Sequence, residues 1–353
     1  MTLQDMMTSC IQQSASDIHL IVGSPPMLRL NGALTPFNDE AILTPAKSQE
    51  MVFSVLNQEQ KDQLLVNKEV DFSYQHNEAG RFRINAYYHK GTIAAAMRLI
   101  PVKIKSIEEL RLPSLLHQFT GMKQGFVLIT GPTGQGKSST LAAIIEEINQ
   151  NRAEHILTVE DPIEFIYEPK KSIISQRELH ADTHSWDVSL KSALREDPNV
   201  VLIGEMRDFE TIAAALTIAE TGHLVFATLH TNSASQTIDR IIDVFPEHQQ
   251  GQVRLQLANT LQAVVSQRLI QSLRGELVVA VEVLLATGAV RNIIRDGKTF
   301  QLDNVISTSS DVGMVSLESS LAKLVNNGDI AYEHALEHAL WPDQLARLVK
   351  HKT

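Results

Sequence analysis

Apolar residues fall into two textures along the chain. Over the first hundred residues the period keeps changing. Leu3, Met6, Met7, Cys10 and Ile11 recur at helical spacing, which predicts an amphipathic helix over 3–14 with Cys10 as a small core residue. Asp17-Ile-His-Leu-Ile-Val22 and Met27-Leu-Arg-Leu30 predict short strands, and Asn31-Gly32 signals a hairpin. Helical period returns over 46–66, on Met51, Val52, Val55, Leu56, Leu64 and Leu65. Strand-like runs follow at 70–75, 81–88 and 92–100, with turns marked by Gly80 and Gly91. In the middle run, residues 82, 84, 86 and 88 form the apolar face, and Arg81, Arg83 and Asn85 the opposite one. Helices with consecutive antiparallel strands predict a small α+β domain over 1–100.

Residues 101–122 predict a partly packed linker. Pro101 and Pro113 punctuate it, and Ile107, Leu110, Leu112, Leu115 and Leu116 give it apolar contacts. A hinge and a passive connector both remain open. From 123 onward, strand and helix patterns alternate. The runs at 126–130, 156–159, 200–203 and 224–229 are continuously apolar, as in strands covered on both faces of a parallel sheet. Helix patterns at 139–149, 186–196 and 209–221 separate them, the last with Asp208 as N-cap and Gly222 as stop. A doubly wound α/β core over 123–270 follows. After about 252 the chain reads as mostly helical, giving a helical C-terminal region at 271–353.

Each apolar run of this core ends in chemistry. The first runs into Gly131, Pro132, Thr133, Gly134, Gln135, Gly136, Lys137 and Ser138, which match the phosphate-binding loop G-x-x-x-x-G-K-[ST] between a strand and a helix. The glycines let backbone N–H groups turn inward around a triphosphate, and the helix that follows points its positive end at the same anion. Lys137 can then reach the β- and γ-phosphates, and Ser138 can ligate Mg²⁺. The second run ends in Glu160, Asp161 and Glu164, the third in Gly204-Glu205 and the fourth in His230. Strand C-termini of a parallel sheet share one rim, where ligands bind. The Val200–Glu205 run is Walker-B-like, and its glutamate can hold Mg²⁺ through water. One of Glu160, Asp161 and Glu164 is expected to orient or deprotonate the attacking water, and charge and spacing do not choose among them. His230 is placed to hydrogen-bond the γ-phosphate and report its loss. Arg81, Arg83, Arg98 and Arg111 are candidates for phosphate contacts, either on a solvated face or toward a nucleotide held by a neighbouring subunit.

Bulk properties narrow the partners. With 353 residues, two domains are expected, and 43% hydrophobic with 20% charged residues suits a soluble globular chain. A net charge of −10 argues against a general nucleic-acid binder. A single cysteine excludes an intrachain disulfide and a Cys-rich zinc site. No apolar run approaches the roughly 18 residues of a membrane span, so no direct membrane insertion is expected. The segment Met1–Asp5 carries acid where a signal peptide carries base, so a cytoplasmic location is expected.

Together the motifs resemble those of the type IV pilus retraction ATPases, the PilT-like branch of the secretion ATPase superfamily. Ser16-Asp-Ile-His19 and Gly80-Arg-Phe-Arg-Ile-Asn85 match N-terminal patterns of that family. Thr158-Val-Glu-Asp-Pro-Ile-Glu164 is similar to its Asp box, Gly204-Glu-Met-Arg-Asp208 to its Walker B, and Thr221–Ala234 to its His box. Ile238–Pro246 continues the likeness, and Ala289-Val-Arg-Asn-Ile-Ile-Arg-Asp296 resembles a C-terminal motif tied to retraction.

The resemblance implies a PAS-like N-terminal domain, a RecA-like P-loop ATPase domain and a homohexameric ring, with ATP and Mg²⁺ between the two domains and near an adjacent subunit. It implies Glu164 as the catalytic carboxylate, Glu205 as the Walker B acid and His230 as the His-box residue, with weight added to the four arginines. It implies an ATPase motor driving pilus retraction and twitching motility, coupled to an inner-membrane platform protein. Two positions depart from the pattern: Gln135 stands where the family commonly has Ser, and Ser139 where it commonly has Thr. The competing readings are a pilus assembly or type II secretion motor, whose tetracysteine site a one-cysteine chain cannot build, a catalytically silent ring subunit, and a RecA-like DNA translocase.

Overall fold

The computed structural model describes residues 1–30, 32–37, 40–76, 80–100 and 103–349. Two compact units form: Met1–Lys103 together with Pro162–Ile166, and Ile104–Asp161 together with the chain from Tyr167 onward.

In the first unit, helix α1 (Leu3–Gln12) starts at a capping box: the Thr2 hydroxyl accepts from Asp5 N and the Asp5 carboxylate accepts from Thr2 N. Leu3, Met6, Met7 and Cys10 are buried. Burial, with a smaller contribution from Asp17, pushes the Cys10 thiol up to about 12, so it is an inert core group. Strands β1 (Asp17–Leu20), β2 (Met27–Leu30) and β3 (Ala33–Pro36) follow. Asn31 lies outside the described residues, but Leu30 pairs with Ala33 across it, and Gly32 has φ +85°. The helical stretch at 46–66 divides in two, α2 (Pro45–Phe53) and α3 (Gln58–Asn67), because Asn57 restarts the helix with a second capping box to Gln60.

Strands β4 (Glu69–His76), β5 (Gly80–His89) and β6 (Thr92–Ile100) complete an antiparallel sheet in the order β3-β2-β1-β6-β5-β4. Ile18, Leu20, Phe82, Ile84 and Met97 bury one face with the helices. Asp17, His19, Asp71, Arg83, Asn85 and Arg98 line a polar cleft on the other.

The second unit opens with residues of the predicted linker, whose Pro101 lies outside the described residues. Ile107, Leu112, Leu116 and Phe119 are buried there, the last in the short helix α4 (His117–Thr120). Then come β7 (Gly125–Thr130), α5 (Lys137–Asn151), β8 (His155–Glu160), β9 (Ile173–Glu178), α6 (Trp186–Ala193), β10 (Val200–Ile203), α7 (Phe209–Glu220) and β11 (Leu224–Leu229). As expected, Asp208 caps α7, accepting from Thr211 N, and Gly222 follows its end at φ +98°. Helices α8 (Ala234–Asp243) and α9 (Glu247–Thr260) lead into β12 (Leu261–Gln271) and β13 (Leu277–Leu285). The chain ends in α10 (Gly288–Asp296), α11 (Leu302–Thr308), α12 (Leu317–Asn326), α13 (Tyr332–His338) and α14 (Pro342–Leu348).

The sheet order is β13-β12-β7-β11-β10-β8-β9, parallel except for β13. Two strands therefore occupy the stretch read as helical beyond 252. β12 begins directly where α9 ends, and its polar Ser266, Gln267 and Arg268 interrupt the apolar run although all three are buried. β9 is a further strand without a sequence signal, since as an edge strand it is mostly half-buried. The architecture comprises a RecA-like α/β domain and a PAS-like α+β domain, with a C-terminal region that is helical after β13.

Candidate active site

The phosphate-binding loop leaves β7, a strand buried at all six positions, and enters α5. Three glycines make this path possible. Gly131 has φ +139°, and a Cβ there would lie 2.5 Å from the Gln267 carbonyl oxygen. Gly134 and Gly136 sit at φ +79° and +77°, and Gly136 is the N-cap of α5 without any capping side chain. The first N–H groups of a 15-residue helix thus face the loop uncapped, a ready anion site. Lys137 is buried, and its ammonium donates to the carbonyls of Gly131 at 2.7 Å and Pro132 at 3.0 Å, which aims it into the loop.

The other strand ends gather on the same rim. Thr133 Oγ1 lies 3.3 Å and Lys137 Nζ 3.2 Å from His230 Nδ1, and His230 Nε2 lies 2.9 Å from Glu205 Oε1. These partners assign Nδ1 as the acceptor and Nε2–H as the donor. Glu205 Oε2 accepts from Arg207 at 2.8 Å. Burial would raise the Glu205 carboxyl, but the Arg207 hydrogen bond, the neighbouring His230 and the charges of Arg207 and Lys137 outweigh it and hold it below the usual carboxylate range. Thr228 Oγ1 donates to the Gly204 carbonyl, tying β11 to the turn that carries Glu205. Glu160 is buried at the end of β8 and accepts from Thr158 Oγ1 at 2.7 Å. Asp161, next in the chain, is exposed.

The remaining predicted residues divide by unit. Ser138 and Ser139, both half-buried, start α5. Arg111 pairs with Glu276 at 3.0 Å and borders a cleft of about 540 Å³ that is also lined by Gly136, Ser139, Thr140 and Leu269. Arg81 and Arg83 lie on β5 of the first unit. Arg98, on β6, pairs with Asp17 at 3.0 Å. Glu164 is exposed within Pro162–Ile166, the run that belongs to the first unit.

Several contributing residues escaped the sequence reading. Arg207 is the ionic partner of Glu205. Gln267 and Thr140 flank the loop. Arg268 donates to the Asn232 carbonyl at 2.8 Å, and buried Glu282 accepts from Ala234 N at 2.6 Å, so β12 and β13 fix the segment that follows His230. A buried glutamate and a buried arginine on adjoining strands were the available signal, hidden by the assignment of that stretch to helix.

Glu205, held ionised on the rim that carries the phosphate loop, and the hydroxyl of Ser138 at the start of α5 are oxygen donors of the kind that a hard divalent cation such as Mg²⁺ takes. Among the described residues no helix is long and apolar enough to cross a membrane.

The family profile for type II/IV secretion system proteins matches residues 1–279. The type IV pilus retraction ATPase PilT of Pseudomonas aeruginosa is 43% identical over 346 residues, covering 97% of this chain and 99% of that protein. A twitching motility protein of Neisseria gonorrhoeae is 47% identical over 337 residues, covering 94% and 88%. A crystal structure of the pilus retraction motor PilT with bound ADP superposes with a TM-score of 0.92 at 44% identity, covering 98% of this chain and 99% of that one. With the phosphate loop, the carboxylates and the histidine on one sheet rim, this full-length likeness means that the chain belongs to the type II/IV secretion system protein family, in its pilus retraction ATPase branch.

Proposed function

We propose that this protein is an ATPase motor that hydrolyses ATP to drive type IV pilus retraction, and hence twitching motility. The observation that carries the chemistry is the run Lys137–His230–Glu205: a phosphate-reaching ammonium, an imidazole and a carboxylate in hydrogen-bonding sequence on the C-terminal rim of one parallel sheet. Likeness to PilT over nearly the whole chain supports the mechanical role.

Residue roles follow from position. The loop Gly131–Ser139 cradles the phosphates, and Lys137 neutralises the β- and γ-phosphate charge. Ser138 and Glu205 would hold Mg²⁺, which, when bound, draws charge off the phosphate oxygens. Glu164 is proposed to orient the attacking water. Lys137 cannot satisfy the loop carbonyls, His230 and a γ-phosphate equally, so phosphate loss changes what His230 Nδ1 meets, and Nε2 relays this to Glu205. Arg81, Arg83, Arg98 and Arg111 are proposed to meet phosphate, some of them from an adjacent subunit of a homohexameric ring. The ring would act at the cytoplasmic face of the inner membrane, on a platform protein of the pilus base. Residues 1–100 would form the PAS-like domain, 101–122 the linker, 123–270 the ATPase core and 271–353 the C-terminal region.

Two measurements test this reading. Purified protein should hydrolyse ATP in the presence of magnesium, and cells lacking it should carry pili that no longer retract. Retraction at the normal rate without the protein would overturn the mechanical role, and absence of ATPase activity the enzymatic one.

A further inference from the structure

The backbone ladder between β7 and β12 ends at the pair Ser266–Thr130, where the loop departs from β7. From that point β12 still runs beside the loop, with β13 paired on its other edge, for example Leu269 opposite Val279. Backbone groups on the loop side there need partners. Side-chain amides supply them. Gln135 Oε1 accepts from Leu269 N at 2.6 Å, and the Gln135 carbonyl accepts from Gln267 Nε2 at 2.6 Å. Gln267 Oε1 accepts in turn from Thr140 Oγ1 at 3.0 Å. Gln267 and Thr140 are buried, so water does not compete for the bond between them, while the two bonds of Gln135 are partly buried. Both ends of the loop tip, Gln135 and the first turn of α5, are thereby fastened to one strand.

We propose that Gln135 and Gln267 are positioning residues for the phosphate loop, setting how tightly nucleotide binds rather than how fast its terminal bond breaks. This rests on the ATPase reading above. A loop with two glycines beside Gln135 has much backbone freedom to lose when it closes round a phosphate. Holding it in shape beforehand removes that cost from binding. A serine at 135 is two heavy atoms shorter and cannot carry an acceptor to Leu269 N, so this brace is a property of the glutamine.

The test uses the full-length protein and four forms: wild type, Gln135→Ala, Gln267→Met and the double variant. A fluorescent ADP analogue is titrated, steady-state ATPase kinetics are measured, and amide hydrogen exchange is followed over 131–138. Each single variant is expected to raise Kd and KM by about 3–10-fold, with kcat within about twofold, and to speed exchange of the loop amides. The double variant should be little worse than the weaker single, because both changes release the same loop. Residue 135 is half-buried on a loop, so Gln135→Ala carries the test if Gln267→Met fails to fold. Unchanged Kd and loop exchange in Gln135→Ala, a fall in kcat at constant Kd, or fully multiplicative losses would overturn the proposal. A wild type that binds no analogue overturns the ATPase reading instead, and the exchange rates alone then decide whether the amides hold the loop.

Discussion

His230 Nε2 donates to Glu205 Oε1 at 2.9 Å, joining the end of β11 to the end of β10. The same ring accepts from Lys137 through Nδ1, so the imidazole joins the Lys137 ammonium to the Glu205 carboxylate. Removing it separates two charges without touching the loop backbone. His230→Ala is therefore expected to leave nucleotide affinity within about threefold while lowering kcat by about tenfold or more. Steady-state kinetics beside a binding titration decide it. A variant that loses binding and keeps kcat would place His230 in the loop rather than in the relay.

Lys137 and Glu205 should separate binding from turnover. Lys137→Ala removes the ammonium proposed to meet the phosphates, which would leave the loop carbonyls of Gly131 and Pro132 facing the anion. Nucleotide binding should fall at least tenfold. Glu205→Gln preserves shape but removes the negative charge, so nucleotide should still bind while turnover drops by about 10² or more. Glu164→Ala is expected to follow Glu205→Gln. Equal ATPase rates in all three variants would remove the active-site assignment.

How much of this was legible depends on how each residue earns its place. The four central strands announce themselves because they are covered on both faces, and continuous runs such as Phe126–Thr130 have no other use. Lys137, Glu205 and His230 follow from standing at the ends of those runs. Gln267 carries no such mark: a neutral amide inside a strand becomes meaningful only when Gln135, 132 residues earlier, is beside it. β12 was hidden for the same reason. Its buried polar residues serve the loop and the His-box segment, and they break the apolar pattern that identifies a central strand. The division at Ser54–Asn57 was legible in principle, since Asn57 and Gln60 spell a capping box.

Glu282 gives a pH dependence with a definite sign. Burial, reinforced by Asp303 and Glu318 and opposed by the Ala234 N–H and Arg268, raises its carboxyl from 4.5 to about 7. Between those values the folded protein holds a proton that the unfolded chain has released, so this group lowers stability as pH rises from 4.5 and its full cost is present above 7. At 1.36 kcal/mol per pH unit the cost is on the order of 3 kcal/mol. Glu282→Gln keeps an acceptor for Ala234 N and cannot ionise. Its melting temperature should exceed that of wild type at pH 8, with the difference shrinking toward pH 5. A constant difference across that range would mean that Glu282 stays ionised in the folded protein.

The motif helix α10 holds two arginines with opposite fates. Arg291 Nη1 donates to the carbonyls of Ala258 and Asn259, and Nη2 to Gln262 Oε1. It thus caps the C-terminal end of α9 with a cation and fixes the point where α9 turns into β12. Arg295 is exposed and, among the described residues, bonds only Asn292, one turn back on its own helix. Arg291→Ala leaves the carbonyl of buried Ala258 without this donor, while that of exposed Asn259 can turn to water, and should destabilise the protein by about 1–3 kcal/mol. Lysine at 291 should recover little, because a single ammonium cannot span three acceptors as the planar fork does. Arg295→Ala should stay within about 0.5 kcal/mol of wild type. Urea unfolding of the three variants separates these outcomes. Should Arg295→Ala cost as much as Arg291→Ala, the motif would owe its role to the whole helix surface rather than to the cap on α9.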